Sequence, residues 1–517
     1  MNTALIGIDV GSTNTKVCSF SLDGELLHKT SIKTPTYFDH DGGAYFKTGE
    51  LWAAVVILLR ETMSELRTLS YVPVSLAVTG MGESYVGVYA DDIDEHIVTW
   101  FDQHSLSCIP TIREYETDLG REDAVFLETG MEASGIFTLP KLLFEKRKNP
   151  VKFDQLQTIL SVPGFITYKL SGEKVFDASL ASRTMLYSLR NKDWAKEIAS
   201  SLEINTGILP PIISSGCAIG KIQKSVAEET SLPSDLMICT GGHDHFCGSF
   251  ASGLMKGSRI VDSSGTAESI HGITSVKLNP FSRFEGFRVG QYVDSDHLYI
   301  VGGIVSSGIT YDWAARQFAG STDLDALDCN LLALDLKLKD FLKLPLFLPH
   351  LRGSGAPTWD SNSKGMFCGI QEQCTNSDFM LSVIEGLAHE FAYVTNCVLR
   401  ALKTPVSSVV VTGGGSRNVF WQSLKASSLG LPLEITAVSE STALGAALLA
   451  GLGAGIYSDY QQVSSMIGTV KQIVEPNKQL SSFLAERRQV YETLYVQSIP
   501  IHLKLKQISD SYTVKEL

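Results

Sequence analysis

The sequence lacks a disulfide framework. Its nine cysteines, Cys18, Cys108, Cys217, Cys239, Cys247, Cys329, Cys368, Cys374 and Cys397, are odd in number and scattered, with no C-x-x-C pair. That usage fits reduced thiols in a cytoplasm. Long apolar runs are also missing. The longest uncharged stretch, TALGAALLAGLGAGI from Thr442 to Ile456, falls short of the roughly 20 residues that span a bilayer, and is expected to be a buried helix packed closely on a sheet. The opening MNTALIGIDVG has neither the basic segment nor the apolar run of a secretion signal. Positive charge is in deficit: 43 Lys and Arg against 56 Asp and Glu leave a formal net charge of −13, which argues against nucleic acid or an anionic membrane as a partner. No G-x-x-x-x-G-K-[ST] occurs, which excludes a P-loop, and GLGAGI at Gly451 lacks the strand and acid of a dinucleotide site.

What is present is material for two domains. A chain of 517 residues, 44% hydrophobic and 19% charged, exceeds what one core organises and predicts two units of roughly 200 to 250 residues. Residues 4–9 form a short apolar run, Lys16 to Leu22 alternates, Asp23-Gly24 signals a hairpin, and Glu25 to Thr30 continues the ribbon. A helical segment follows at Thr48 to Leu69, then the apolar strand VSLAVTG from Val74 to Gly80. Strands that alternate with helices predict an α/β fold with a largely parallel sheet. The pattern restarts near residue 258, where SRIVDSSGTAES again sends a strand into an acid, here Asp262, and then into Ser263-Ser264-Gly265-Thr266. Two such turns half a chain apart predict a duplicated core, each half giving one loop to a cleft. A later strand enters three glycines, Gly413 to Gly415, before a helix, and an amphipathic segment runs from Lys478 to Val496.

A tight turn that exposes backbone N–H groups among hydroxyl side chains can hold phosphate oxygens without fixed positive charge. In GIDVGSTNTK, Gly11 allows close approach and Ser12, Thr13, Asn14 and Thr15 add donors, while Asp9 can hold Mg²⁺ directly or through water. One such loop alone reads better as an ordinary hairpin; the second copy shifts the balance toward the phosphate cradle. The strongest chemical candidate is CTGGHDHFCGSFASG, where Asp244 follows an apolar strand and two glycines and enters a small-residue helix. A carboxylate so placed is oriented by backbone donors and faces a cleft. His243 and His245, at i and i+2 with no third ligand at a meaningful spacing, read as structural or substrate-contact residues, not as a metal site.

The ordered set DVGSTNTK, VTGMGES, TWFDQ, GGHDH, DSSGTAES, GGIVSSG, TGGGSRNVFWQ and ESTALGAALLAG resembles the FGGY family of carbohydrate kinases, of the actin, hexokinase and heat-shock ATPase superfamily, from about residue 4 to 457. The resemblance implies two ribonuclease-H-like (actin-like ATPase) domains closing on a cleft. Residues 1–250 would form an N-terminal domain holding the sugar and the first phosphate loop, 251–460 a C-terminal ATP-binding domain, and 461–517 a helical extension. By position, Asp244 takes the role of general base toward the sugar hydroxyl, and Asp9, with Asp244, serves Mg²⁺. The nucleotide residues implied are Gly11, Ser12, Thr13 and Lys16 at the first loop, Gly265 and Thr266 at the second, and Gly308, Asp312, Gly414 and Asn418 around the base.

The family reads its substrate after the VTG strand and around a Trp-x-Asp segment, here Gly82 and Glu83, and Trp100 and Asp102, with His245 beside the base. Glu83 and Asp102 suit paired hydroxyls and Trp100 suits the carbon face of a polyol. Against these stand plainer readings: Glu83 as a helix cap, Trp100 as core, Asp102 paired with a neighbouring base. Glycerol kinases carry Arg-Glu and xylulose kinases Met-His where this chain has Gly82-Glu83. The family arginine after Trp-x-Asp-x is His104, its Gly-Glu-Arg is Gly353-Ser354-Gly355, and its lysine-tryptophan signature survives as TLPKLLFE with Phe144 for Trp. Loss of an arginine fork points to a neutral sugar. The expectation is ATP-dependent phosphorylation of a short ketose on a terminal hydroxyl, with glycerol or another polyol as the alternative, and an actin-like or sensor ATPase as the alternative of another class. A homodimer is left open.

Overall fold

Two sheets, one from each half of the chain, carry this computed structural model, which describes residues 2–90, 92–275, 286–333 and 337–516. The first contains β1 (Asn2–Val10), β2 (Asn14–Ser21), β3 (Leu26–Lys33), β4 (Tyr71–Gly80), β5 (Ala218–Lys221) and β6 (Met237–His243), in the order β3-β2-β1-β4-β6-β5. The ribbon expected at the start of the chain is the antiparallel β1, β2 and β3, and β1, β4 and β6 run parallel. In β1, Ala4, Leu5, Ile6, Ile8 and Val10 are all buried, the unbroken apolar run of a strand covered on both faces.

The second sheet contains β7 (Arg259–Ser264), β8 (Glu268–Thr274), β9 (Arg288–Gln291), β10 (Leu298–Ile304), β11 (Ser408–Thr412), β12 (Leu433–Thr436) and β13 (Val470–Val474), in the order β9-β10-β8-β7-β11-β12-β13. From β10 to β13 the pairings run antiparallel, antiparallel, parallel, parallel, antiparallel, as they do from β3 to β5. The repeat read from two short loops is therefore a repeat of topology, with β9 added at one edge. These are the two ribonuclease-H-like lobes the sequence led us to expect.

Seven helices position the site: α1 (Thr48–Thr68), α2 (Asp244–Ala251), α3 (Gly308–Ala314), α4 (Asn376–Leu402), α5 (Val419–Leu429), α6 (Ser441–Gly453) and α7 (Lys478–Glu516). In α1, Leu51, Val55, Leu58, Leu59 and Leu66 form the buried stripe laid on β2 and β3. The small-residue segment forms α6, as expected, but although it comes late in the chain it packs on β1, β4 and β6 of the first sheet. Its composition is what makes that possible: a Cβ at Gly7 would lie 1.9 Å from the Ala443 carbonyl oxygen, and one at Gly445 2.0 Å from that of Cys247 in α2. The segment from Lys478 continues as a 39-residue helix, α7, with Pro500 inside it. It is fastened to the second lobe by Arg487, which donates to both oxygens of Glu385 at 2.6 and 2.9 Å, and by Tyr491, which donates to Glu390 at 2.6 Å. Among the described residues no helix is long and apolar enough to cross a membrane.

Candidate functional site

The β1–β2 and β7–β8 hairpins border one cavity of about 370 Å³, which Asp244, His245 and the first residues of α6 also line. On the first hairpin the turn closes by Gly11 N–H donating to the Asn14 carbonyl at 3.1 Å. Ser12, Thr13 and Asn14 face the cavity, whereas Thr15 turns inward to hydrogen-bond Thr34 at 3.0 Å. Asp9 and Lys16 sit directly opposite each other in the ladder. Burial, and then the nearby Asp244, push the Asp9 carboxyl up to about 7, with Lys16 opposing and Glu440 adding to the rise. Lys16, expected beside the phosphates, lines the same cavity and donates to Glu440 at 2.9 Å. Glu440, just before α6, is itself in the left-handed backbone region and also takes Lys29.

The second hairpin has a turn one residue tighter, with Gly265 N–H donating to the Ala267 carbonyl, two residues on, at 3.0 Å. Its tip is held by α3: Gly308 N–H donates to the Gly265 carbonyl at 3.1 Å and Ile309 N–H to that of Thr266 at 3.2 Å. A Cβ at Gly308 would lie 2.5 Å from that Gly265 oxygen, so the position requires glycine. The wall of the cavity on this side is Val261, Ser263 and His271. Asp262, the acid that invited comparison with Asp9, is not its counterpart. Counting back two from each turn glycine pairs Asp9 with Ser263, and strand alternation turns Asp262 to the opposite face, where it accepts from Lys425 at 2.9 Å. Lys425 also donates to Glu268 at 2.6 Å, and all three side chains are buried.

Gly413 and Gly415 press on Ser264, whose atoms a Cβ would meet at 2.4 and 2.3 Å, while a Cβ at Gly414 meets nothing within 4 Å. Asp312 lies half-buried on α3. Asn418, expected to line the nucleotide, caps α5 by accepting from Trp421 N–H at 2.9 Å through its side-chain oxygen and donates from its amide to Asp328 at 2.6 Å.

Asp244 opens α2, where a negative charge is favoured by the helix dipole. Its Oδ1 accepts from His245 N–H at 2.7 Å and lies 2.8 Å from His243 Nδ1. Burial alone would raise this carboxyl, but His243 and then His245 hold it well below the usual carboxylate range. Glu83 is buried and paired with Arg183, whose Nε donates to Oε1 at 2.8 Å and whose Nη2 shares that oxygen; it caps no helix. Burial opposes ionisation of Glu83, yet Arg183 and His243 keep the carboxyl low. Gly82 lies under the His243 ring, 2.5 Å from where a Cβ would be. Trp100 is 38% exposed and meets Phe101 edge-on, which removes the reading as core.

Asp102 is held by its own neighbours. Both of its oxygens accept backbone N–H groups, from Ala44 at 3.2 Å and His104 at 2.7 Å, and His104 Nδ1 is 3.5 Å away. It lines a neighbouring cavity of about 390 Å³ with His104 and Glu145, apart from Asp244. Two of the noted departures from the family pattern compensate each other there: His104 stacks on Phe144 at 4.9 Å and 7°. The third is steric, since a Cβ at Gly355 would lie 2.0 Å from the Gly303 carbonyl oxygen.

Three side chains brought here were not selected from sequence. Arg183 pairs with Glu83, His271 stacks on His245 at 5.3 Å, and Arg288 lies over the Trp359 and Phe137 rings at 4.4 and 5.3 Å. None stands in a motif; their only sequence signal is an arginine in an otherwise small, buried segment and a histidine on the cavity-facing side of an alternating strand.

The chain matches the N-terminal domain of the FGGY family of carbohydrate kinases over residues 4–251 and its C-terminal domain over residues 263–454. It is 24% identical over 508 residues to a xylulose kinase of Staphylococcus epidermidis, covering 98% of this chain and 99% of that one. It is 23% identical to a gluconokinase of Bacillus subtilis, covering 91% of each. Among solved structures, the ligand-bound xylulose kinase from Lactobacillus acidophilus superposes with a TM-score of 0.88 at 21% identity, over 97% of this chain and 100% of that one. The topology, the shared cavity and these matches agree: the chain belongs to the FGGY family of carbohydrate kinases and is an ATP-dependent sugar kinase.

Proposed function

We propose that the enzyme transfers the γ-phosphate of ATP to a terminal hydroxyl of a short neutral ketose, with Asp244 as the general base. The observation that carries this reading is that Asp244 and both hydroxyl-rich hairpins border a single cavity. The hydroxyl oxygen attacks the γ-phosphorus, the bond to the bridging oxygen breaks to release ADP, and the hydroxyl proton passes to Asp244. Such a reaction needs alignment and neutralisation of charge across the phosphate oxygens more than covalent chemistry. Ser12 and Thr13 would supply donors from one side and Thr266 from the other, with Gly11 and Gly265 closing the two turns and allowing close approach. Gly308 keeps the second turn in place, and the open face of Gly414 leaves room for the nucleotide, with Asp312 and Asn418 shaping that wall.

Asp9 and Asp244 suit Mg²⁺. Two carboxylates face one small cavity, and Asp9 is raised by burial and then by Asp244, a rise that a cation would relieve. Among the described residues no group of three or more acidic, histidine or cysteine ligands forms, which fits an ion that completes its shell with water and phosphate. When bound, the ion would neutralise charge on the phosphate oxygens. Lys16 steadies the first loop through Glu440. On the sugar side, Gly82, Glu83, Trp100 and His245 would receive the substrate, and Asp102 would hold the loop that carries Trp100. In this division, residues 1–250 hold the sugar, 251–460 the nucleotide, and 461–517 brace the second lobe, in a cytoplasmic enzyme whose partners are small molecules.

A ketose is supported by the xylulose kinase relatives. One observation favours a second reading, a sugar acid: Arg288 pairs with no carboxylate among the described residues, and burial, then Arg183, lower its guanidinium to about 10. The test is ATP consumption by the purified protein across ketoses, aldoses, polyols and aldonates of three to seven carbons. A ketose as best substrate supports the first reading and an aldonate the second. Hydrolysis independent of any sugar, with no phosphorylated product, would sink both.

A further inference from the structure

Between the proposed base and the carboxylate on the sugar side lies one imidazole. His243 Nδ1 is 2.8 Å from Asp244 Oδ1, and its Nε2 is 3.9 Å from Glu83 Oε2. The ring is fixed from several sides. Its backbone N–H donates to Ser179 Oγ at 3.0 Å, and Ser179 is anchored on the buried Asp177. The ring lies against Phe246 at 4.8 Å and His245 at 5.2 Å. The remaining side is Gly82, where an added Cβ would stand 2.5 Å from Cδ2 and 2.6 Å from Nε2 of the ring.

The geometry points to His243 as the positioning residue of this site: its ring fills the space that a side chain at position 82 would take, and fixes the Asp244 carboxylate in one orientation. This rests on the reading of Asp244 as the base. An ionised carboxylate can only accept, so the contact at 2.8 Å assigns the proton to Nδ1, and the His245 N–H, 3.2 Å from that nitrogen and 2.7 Å from Asp244 Oδ1, goes to the carboxylate. Asp244 Oδ1 then accepts from both His243 Nδ1 and the His245 backbone. Oδ2 has no hydrogen-bond partner among the described residues and is the oxygen left to take the hydroxyl proton. The same ring faces Glu83 from the side opposite Arg183, so the groups that hold the sugar and the group that deprotonates it share one rigid element. A glycine at position 82 and a histidine at 243 are thus one device, and neither is replaceable alone.

The experiment is a set of variants assayed for kcat and for KM of ATP and sugar: Gly82→Ala, His243→Ala, the double variant, His243→Asn, His243→Gln and Asp244→Asn. His243→Ala should lower kcat by about 10²-fold, the scale of a misaligned catalytic group, with KM for ATP unchanged. Gly82→Ala should lower kcat by displacing the ring, and the double variant should be no worse than His243→Ala, because the clash needs both residues. His243→Asn places a donor near the Nδ1 position and should recover activity that His243→Gln does not. Singles whose losses multiply in the double variant, or equal activity of the Asn and Gln variants, would overturn the inference. The Asn and Gln comparison decides it if the alanine variants do not fold. Turnover retained by Asp244→Asn would instead remove the base reading beneath it.

Discussion

In the first lobe the residue two before the turn glycine is Asp9, facing the cavity across from Lys16; in the second it is Ser263, and the neighbouring acid, Asp262, is turned into the core onto Lys425. Both hairpins are antiparallel and closed by the N–H of the turn glycine, onto Asn14 three residues on in the first and onto Ala267 two residues on in the second. The difference lies in where negative charge was placed. At the first hairpin it is left in the cavity with a raised proton affinity, available to a cation. At the second it is neutralised inside the lobe, so that under the proposed function the turn would meet phosphate with backbone donors and a hydroxyl only. One duplicated scaffold therefore offers two chemistries, set by a one-residue shift of an acid relative to the pleat.

The largest expected effect that would sharpen this contrast is on stability. Lys425→Met leaves Asp262 and Glu268 buried without their cation and should cost about 3–5 kcal/mol, read from urea unfolding. Asp9→Asn should cost none of this, yet should abolish most turnover. If Asp9→Asn unfolds the protein and Lys425→Met does not, the assignment of one acid to function and the other to structure is reversed. Next in size is Gly308→Ala, whose Cβ would meet the Gly265 carbonyl at 2.5 Å. It should cost about 1–3 kcal/mol of overpacking and raise KM for ATP while leaving KM for the sugar in place. Equal changes in both would break the link between α3 and the nucleotide loop.

The smallest effect is on pH dependence. Burial, then Glu268, push Asp262 up to about 7 against the pull of Lys425, and a protonated Asp262 makes the buried trio neutral overall. Because this pKa is raised on folding from the ordinary carboxyl value of 3.8, the folded state binds more protons than the unfolded one between these values, and stability falls as pH rises through that window. Asp262→Asn should flatten that part of the curve relative to wild type. An unchanged slope would show that Asp262 is ionised throughout.

The fold and both hairpins were legible because their signals are local: apolar runs for β1 and β4, a turn glycine among hydroxyls, and small residues in the segment that became α6. That α6 would lie on the first sheet was not legible, since its composition announces close packing but not the partner. Asp262 misled for a physical reason: an acid beside a turn looks alike in sequence whichever face of the strand it occupies. Asp102 kept two readings in sequence, because a carboxylate before a loop clamps backbone N–H groups as readily as it receives a sugar. The links from Arg183 to Glu83, and from Gly82 to His243, join residues 100 and more positions apart, and no spacing within one motif reports them.

The central claim is that one carboxylate, set where the two hairpins share a cavity, removes the proton from the sugar. It is tested most directly by measuring kcat of Asp244→Asn at saturating ATP and sugar, with ATP affinity determined by calorimetry on the same sample. Turnover is expected to fall by about 10²- to 10⁴-fold with ATP binding intact. Turnover close to wild type would contradict it.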